Sequence, residues 1–192
     1  SVLLLDDFGN AVDSAITDQE GNYVFVVGCE ESYTIMVNHF GYFRKDKPVQ
    51  TGDDLKEVLV FDFDLEKEVV VKNEKEQLNL NPIFFELNSS YLTEQAMLEL
   101  DRVVETMKKY PSMKIAIGSH TDSRSEADYN LWLSGRRANR TREYIIDQGI
   151  EADRLTAKGF GESEILNNCN DNSACSEEEH GVNRRSEFVI VE

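Results

Sequence analysis

The sequence predicts an α+β protein in two parts: an all-β sandwich, then a sandwich with helices on one face of a mixed sheet. Three observations predict it. Residues 1 to about 65 hold short runs of strand formers between turn clusters, with no helical periodicity. From Pro82 onward, stretches with helical spacing alternate with short strand patterns. Between the two, residues 66–80 are charged and read as a linker or hairpin, which divides the chain into 1–65, 66–80 and 81–192.

In the first part, Ser1-Val2-Leu3-Leu4-Leu5-Asp6 reads as a strand from its first residue. We therefore expect a fragment of a longer protein, cut inside or at the edge of its first domain, with any export signal or lipid anchor upstream. Asp6 to Asn10 and Thr17 to Asn22 are turn clusters, rich in Asp, Asn and Gly. Tyr23 to Val27 and Ser32 to Val37 are strand candidates. Leu55 to Phe63 alternates, and either Val58 and Val60 or Leu59 and Phe61 face inward. Strands at intervals of about 8–12 residues suggest a sandwich.

In the second part, Ile83-Phe84-Phe85 is a buried-strand candidate. Thr93 is the expected N-cap of a helix on which Met97, Leu100, Val103, Val104 and Met107 recur at helical spacing. Met113 to Ile117 alternates as a strand. A long helix follows from about Glu126 to Gln148, with Gly149 placed to end it. Leu131, Ser134, Ala138, Thr141 and Ile145 form its inward stripe. Arg154 to Gly159 and Ser186 to Val191 complete a β-α-β-α-β-loop-β order, which predicts helices on one face of a mixed sheet.

Charge narrows the function. The chain of 192 residues carries 20 Lys+Arg against 37 Asp+Glu, a net −17. Nucleic-acid phosphates need a basic face, which excludes nucleic acid as a partner, and the chain is likewise a poor peripheral binder of anionic membranes. No apolar run approaches the length of a membrane span. A hydrophobic share of 40% still builds a core, which excludes a disordered acidic tail. Three cysteines are too few for a disulfide scaffold.

The chemistry-bearing residues fall into four ordered motifs: Gly118-Ser119-His120-Thr121-Asp122-Ser123, Leu133-Ser134-Gly135-Arg136-Arg137-Ala138, Gly159-Phe160-Gly161-Glu162 and Asn183-Arg184-Arg185-Ser186-Glu187. Over roughly residues 80–192 they resemble the OmpA C-terminal-like family, the peptidoglycan-binding module shared with peptidoglycan-associated lipoproteins and flagellar stator proteins. The resemblance implies non-catalytic binding of the diaminopimelate in the peptidoglycan stem peptide. It implies that Asp122 and Arg137 hold the zwitterionic end of that ligand, with Asn88, Thr121, Asn130 and Arg184 lining the pocket. No cofactor is implied. Two departures stand out: an extra Ser119 before His120, and Gly135 inside a helix, where Gly costs about 1 kcal/mol relative to Ala.

Residue chemistry points the same way. An ammonium beside a carboxylate is complemented by one carboxylate and one guanidinium. Asp122 directly follows a strand that can aim it. Arg137 sits at the border of a helix stripe, where its stem packs and its head is directed. A guanidinium grips a carboxylate with two parallel hydrogen bonds, which a lysine cannot do. Arg124, Arg136, Arg137, Arg140 and Arg142 form a basic stripe in an otherwise acidic chain.

Around Thr17-Asp18-x-x-Gly21-x-Tyr23-x-Phe25 and His39-Phe40-Gly41-Tyr42 the first part resembles the carboxypeptidase-regulatory-like domain, a transthyretin-like β-sandwich, here without its usual first strand. The pairing resembles Bacteroidetes envelope proteins. It implies a periplasmic, outer-membrane-associated anchor with envelope protein partners, some of which belong to type IX secretion machinery.

Asp122 and Arg137 are also compatible with a structural ion pair. His120 with Asp122 suggests a metal pair or half of a hydrolase triad, but no further ligand set and no Gly-x-Ser-x-Gly nucleophile accompanies them. A scaffold with a vestigial pocket is the remaining alternative. In an oxidising periplasm Cys169 and Cys175 are expected to form a disulfide. Free thiols, or a zinc site with His180, are the alternatives. Cys29 is read as a small buried hydrophobe.

Overall fold

The computed structural model describes residues 1–54, 57–72, 74–83, 85, 89–170 and 174–191. It separates into two compact units, Ser1–Glu68 and Val69–Glu192.

The first unit is built on one antiparallel sheet of β1 (Val2–Leu5), β2 (Ala11–Ala15), β3 (Ser32–Val37) and β4 (Lys45–Gln50), in the order β2-β1-β3-β4. Alternation sets its face. Val2 lies opposite Val37 and Leu4 opposite Ile35, and all four are buried together. Both expected turn clusters form alike. The Asp6 carboxylate accepts the Phe8 and Asn10 N–H groups, and Asp18 accepts those of Glu20 and Asn22. Gly9 and Gly21 follow in the left-handed conformation that these loops demand.

The second layer of the expected sandwich does not form a sheet. Residues 23–27 and the described residues of 55–63 have no assigned strand. Their alternation survives, with Tyr23, Phe25, Phe61 and Phe63 packed on the sheet's core while Val58 and Val60 face outward. The inner set is therefore the odd one. Strand-forming sequence supplies extended backbone, but a ladder also needs a partner at the right spacing.

The second unit has a five-stranded sheet in the order β5-β6-β9-β7-β8: β5 (Val69–Lys72), β6 (Lys75–Leu78), β7 (Ile115–His120), β8 (Leu155–Gly161) and β9 (Ser186–Ile190). It is mixed, since β7 runs parallel to β8 and antiparallel to β9. The 66–80 segment thus supplies the β5–β6 hairpin, with Glu74 at positive φ in its turn and Gln77 paired to Val189. Of the strand expected at Ile83–Phe85, Phe84 lies outside the described residues; Ile83 is buried and Phe85 makes an isolated bridge to Leu92.

Helix α1 (Glu94–Lys109) starts at Thr93, whose hydroxyl accepts the Ala96 N–H at 3.1 Å. Helix α2 (Ala127–Asp147) ends with Gly149 at φ +94°, its N–H donating to the Ile146 carbonyl while the Ile150 N–H donates to Ile145, a Schellman closure. Ile115, Ile117, Leu155 and Phe188 lie side by side across the sheet and share one core with Leu100, Val103, Met107, Ala138 and Ile145 of the helices. One face of the sheet is therefore helix-covered. The inward stripe of α2 differs from expectation at one place: Leu133 is buried and Leu131 is 54% exposed. The buried set 130, 133, 134, 137, 138, 141 and 145 centres the stripe about one residue's rotation away from Leu131. A short helix α3 (Glu177–Asn183) interrupts the loop before β9 and was not apparent from periodicity.

Candidate functional site

The site forms where β7 ends. The His120 N–H donates to the Arg185 carbonyl, and the Thr121 N–H to the Gly161 carbonyl, so the chain leaves the sheet in a fixed direction. Asn130 on α2 holds the next turn from behind. Its side-chain amide donates to the carbonyls of Asp122 (3.1 Å) and Ser125 (2.9 Å) and to the Glu162 carboxylate. The Ser123 hydroxyl donates to the Cys169 carbonyl at 2.8 Å. Cys169 is joined to Cys175 by a disulfide with its Cα atoms 5.8 Å apart. That covalent loop thus braces the segment carrying Asp122.

Asp122 belongs to a closed ring of four charges. Its Oδ2 accepts Arg124 Nη2 and Arg184 Nη1, both at 2.7 Å. The same two arginines meet again on Glu177, at 2.7 and 2.6 Å. Glu177 is placed by the first turn of α3, where Ser176 and Glu179 form a capping box. Burial alone would raise the Asp122 carboxyl, but the hydrogen bonds from Arg124 and Arg184 outweigh it and hold the group down at about 2. Among the described residues Oδ1 accepts only the Arg124 backbone N–H, at 3.2 Å, and so keeps acceptor capacity.

Arg137 is handled differently. It is 7% exposed on α2, its Nε donates to the Ser89 carbonyl at 3.0 Å, and its guanidinium lies 4.9 Å from the centre of the Phe85 ring. Burial, then the nearby Arg184 charge, lowers its pKa. Asn81 steadies the segment leading to Phe85 and Ser89, donating its N–H and amide to the buried Glu99 of α1. No ion pair within 4.0 Å joins Asp122 to Arg137 among the described residues. The structural-bridge reading therefore passes from Arg137 to Arg124 and Arg184.

Arg137, Arg184 and Arg185 line a cleft of about 40 Å³ together with Ile83, Phe85 and His120. His120 stacks on Phe160, ring centres 5.0 Å apart, with no hydrogen-bond partner on either ring nitrogen among the described residues. Burial, aided by the Arg185 charge, pushes its pKa down to about 4, so the ring is neutral at pH 7. The His120–Asp122 hydrogen bond that a hydrolytic triad requires is not made. The disulfide also removes the thiolates that a Cys169, Cys175 and His180 zinc site would need.

Of the residues singled out from sequence, Arg137 and Arg184 line this cleft, and Asp122 is joined to it through its hydrogen bond with Arg184. Thr121 is buried beside it, and its hydroxyl has no partner among the described residues. Asn130 braces the loop from behind, and Asn88 lies outside the described residues. The expected basic stripe is dispersed: Arg142 donates to the Leu155 and Ala152 carbonyls, Arg140 pairs with Glu143, and Arg136 covers Trp132. Residue spacing along one helix missed Arg185 and Glu177, which arrive from the far end of the chain. The Ser-x-x-Glu pattern at Ser176–Glu179 was the available signal for the latter.

Fold and site together define an α/β sandwich whose cleft is walled by guanidinium groups beside one paired carboxylate. The chain belongs to the OmpA family, whose sequence model matches residues 84–179. It is 34% identical over 108 residues to the peptidoglycan-associated lipoprotein of Rhizobium meliloti, covering 56% of this chain and 58% of that protein. It is 35% identical over 107 residues to outer membrane porin F of Pseudomonas aeruginosa, covering 55% of this chain and 29% of that one. The chain thus spans little more than half of the lipoprotein it matches. Among solved structures, the peptidoglycan-associated lipoprotein of Burkholderia pseudomallei shares the fold at a TM-score of 0.51 and 24% identity, over 56% of this chain and 87% of that one. A putative MotB-like protein from Desulfovibrio vulgaris aligns at a TM-score of 0.54 and 27% identity, over 64% and 76%.

Proposed function

We propose that this chain anchors an outer-membrane-associated protein or complex to peptidoglycan, in the periplasm and without catalysis. The ligand group is the zwitterionic end of diaminopimelate in the stem peptide. The observation that carries the reading is the convergence of Arg137, Arg184 and Arg185 on one small cleft, with Asp122 hydrogen-bonded to Arg184. A carboxylate enters toward Arg137, whose stem and ring contacts hold the guanidinium in place before binding. The neighbouring ammonium meets Oδ1 of Asp122, the oxygen that the arginines leave least occupied. The cleft admits a headgroup and no more, so each site binds modestly and the repeating wall polymer supplies avidity. Kinship with peptidoglycan-associated lipoproteins supports this reading. An assembly of the type IX secretion kind is the partner suggested by the pairing with the β-rich unit. The test is co-sedimentation with insoluble peptidoglycan. Arg137→Ala and Asp122→Ala should each weaken retention about tenfold or more. Retention of both variants at the wild-type level would overturn the site.

A further inference from the structure

The first unit holds two extended segments without a ladder. Among the described residues, 23–27 and 58–65 make no backbone–backbone hydrogen bond, and the two segments are linked by the Tyr23 hydroxyl donating to the Phe61 carbonyl at 2.9 Å. Their outward side chains include exposed valines, Val24 at 80%, Val26 at 93% and Val60 at 77%, with the acidic Asp62 and Asp64 continuing the outward face of the second segment. Both segments line an open cavity of about 480 Å³ that reaches Leu4, Ile35 and Val49 of the four-stranded sheet.

Extended backbone with unspent N–H and C=O groups is a template for another strand. The cavity asks for apolar side chains at every second position, matching the pleat. The charged residues lining it are Asp54, Glu57 and Asp62, all acidic. The unit as a whole carries 15 acidic against 5 basic side chains, a net −10, so a second copy is repelled. We propose that this cavity is a strand-acceptor site. Its occupant is an extended segment of a partner polypeptide, with apolar residues alternating with Lys or Arg. The segment pairs with residues 23–27 and covers the exposed valines.

The test uses the full chain and a labelled peptide of about eight residues in which Val alternates with Lys. Its scrambled isomer, with the valines grouped together, is the control. By fluorescence anisotropy the alternating peptide should bind at least about tenfold more tightly, and amide exchange should slow at 23–27. Successive N–H groups point to opposite edges, so of Val26→Pro and Val27→Pro at least one removes a donor facing the partner. That variant should lose binding. Equal binding of both isomers, or protection elsewhere, would overturn the proposal. So would wild-type affinity in both proline variants, or a dimer that protects these amides without peptide.

Discussion

The two units use the same kinds of residue to opposite effect. In the second unit, apolar strand residues lie beside one another and are roofed by α1 and α2, so Ile115, Ile117, Leu155 and Phe188 all reach the core. In the first, β1 and β3 bury four such residues, while Val24, Val26, Val58 and Val60 remain in water. Both units hold well-made turns and strands. What separates them is whether each strand finds a neighbour and each face a cover. Local pattern makes an element; contacts between elements distant in sequence make a closed domain.

Substitutions should therefore act most strongly where the second unit is closed. The largest effect is expected at Gly159, where a Cβ would lie 2.2 Å from the Gly135 nitrogen, so this glycine lets α2 lie on β8. Gly159→Val should cost more than about 4 kcal/mol. Urea unfolding followed by the single tryptophan, Trp132 on α2, reads this unit. Amide protection of β1 and β3 should be unchanged. In the first unit, Ile35→Ala should cost about 3 kcal/mol, measured by amide exchange in β1 and β3.

Acid should distinguish the units as well. His120 has its pKa lowered from 6.5 to about 4, so between these values the unfolded chain binds a proton that the native ring refuses. Stability of the second unit should fall as pH drops from 6.5 toward 4, by up to about 3 kcal/mol, and His120→Leu should flatten that slope. Asp122 acts lower still. Its contribution is complete above the ordinary carboxyl range and is lost as pH falls toward about 2.

The smallest effects go the other way. Gly135 has open space where a Cβ would point, so Gly135→Ala should stabilise the second unit by about 1 kcal/mol. Val26→Ser, at a side chain 93% exposed, should change stability by less than about 0.5 kcal/mol.

The contrast also explains what could be read from sequence. Helices α1 and α2 were legible because Thr93, Gly149 and the apolar spacing are local signals acting on local structure. The hairpin's place in the sheet was not, because the β6–β9 pairing at Gln77 and Val189 spans over a hundred residues. Nor was the absent ladder in residues 23–27, whose sequence is as strand-like as that of β3. In the site, Asp122 and Arg137 stood out through motif and helix position. Their division of labour did not: Arg124 and Arg184 pair with Asp122 through a ring closed by Glu177, while Arg137 rests on Phe85 and Ser89. Spacing along one element cannot show which of several arginines reaches a carboxylate.

The proposed ligand of the arginine cleft beside Asp122 is the free zwitterionic end of diaminopimelate. Calorimetric titration with two soluble stem peptides, one carrying diaminopimelate and one carrying lysine at the same position, tests that assignment most directly. The two differ by one carboxylate, the group proposed to meet Arg137. The diaminopimelate peptide should bind about tenfold or more tightly, and Arg137→Ala should abolish the difference. Equal affinity for both peptides in the wild-type protein would contradict the assignment.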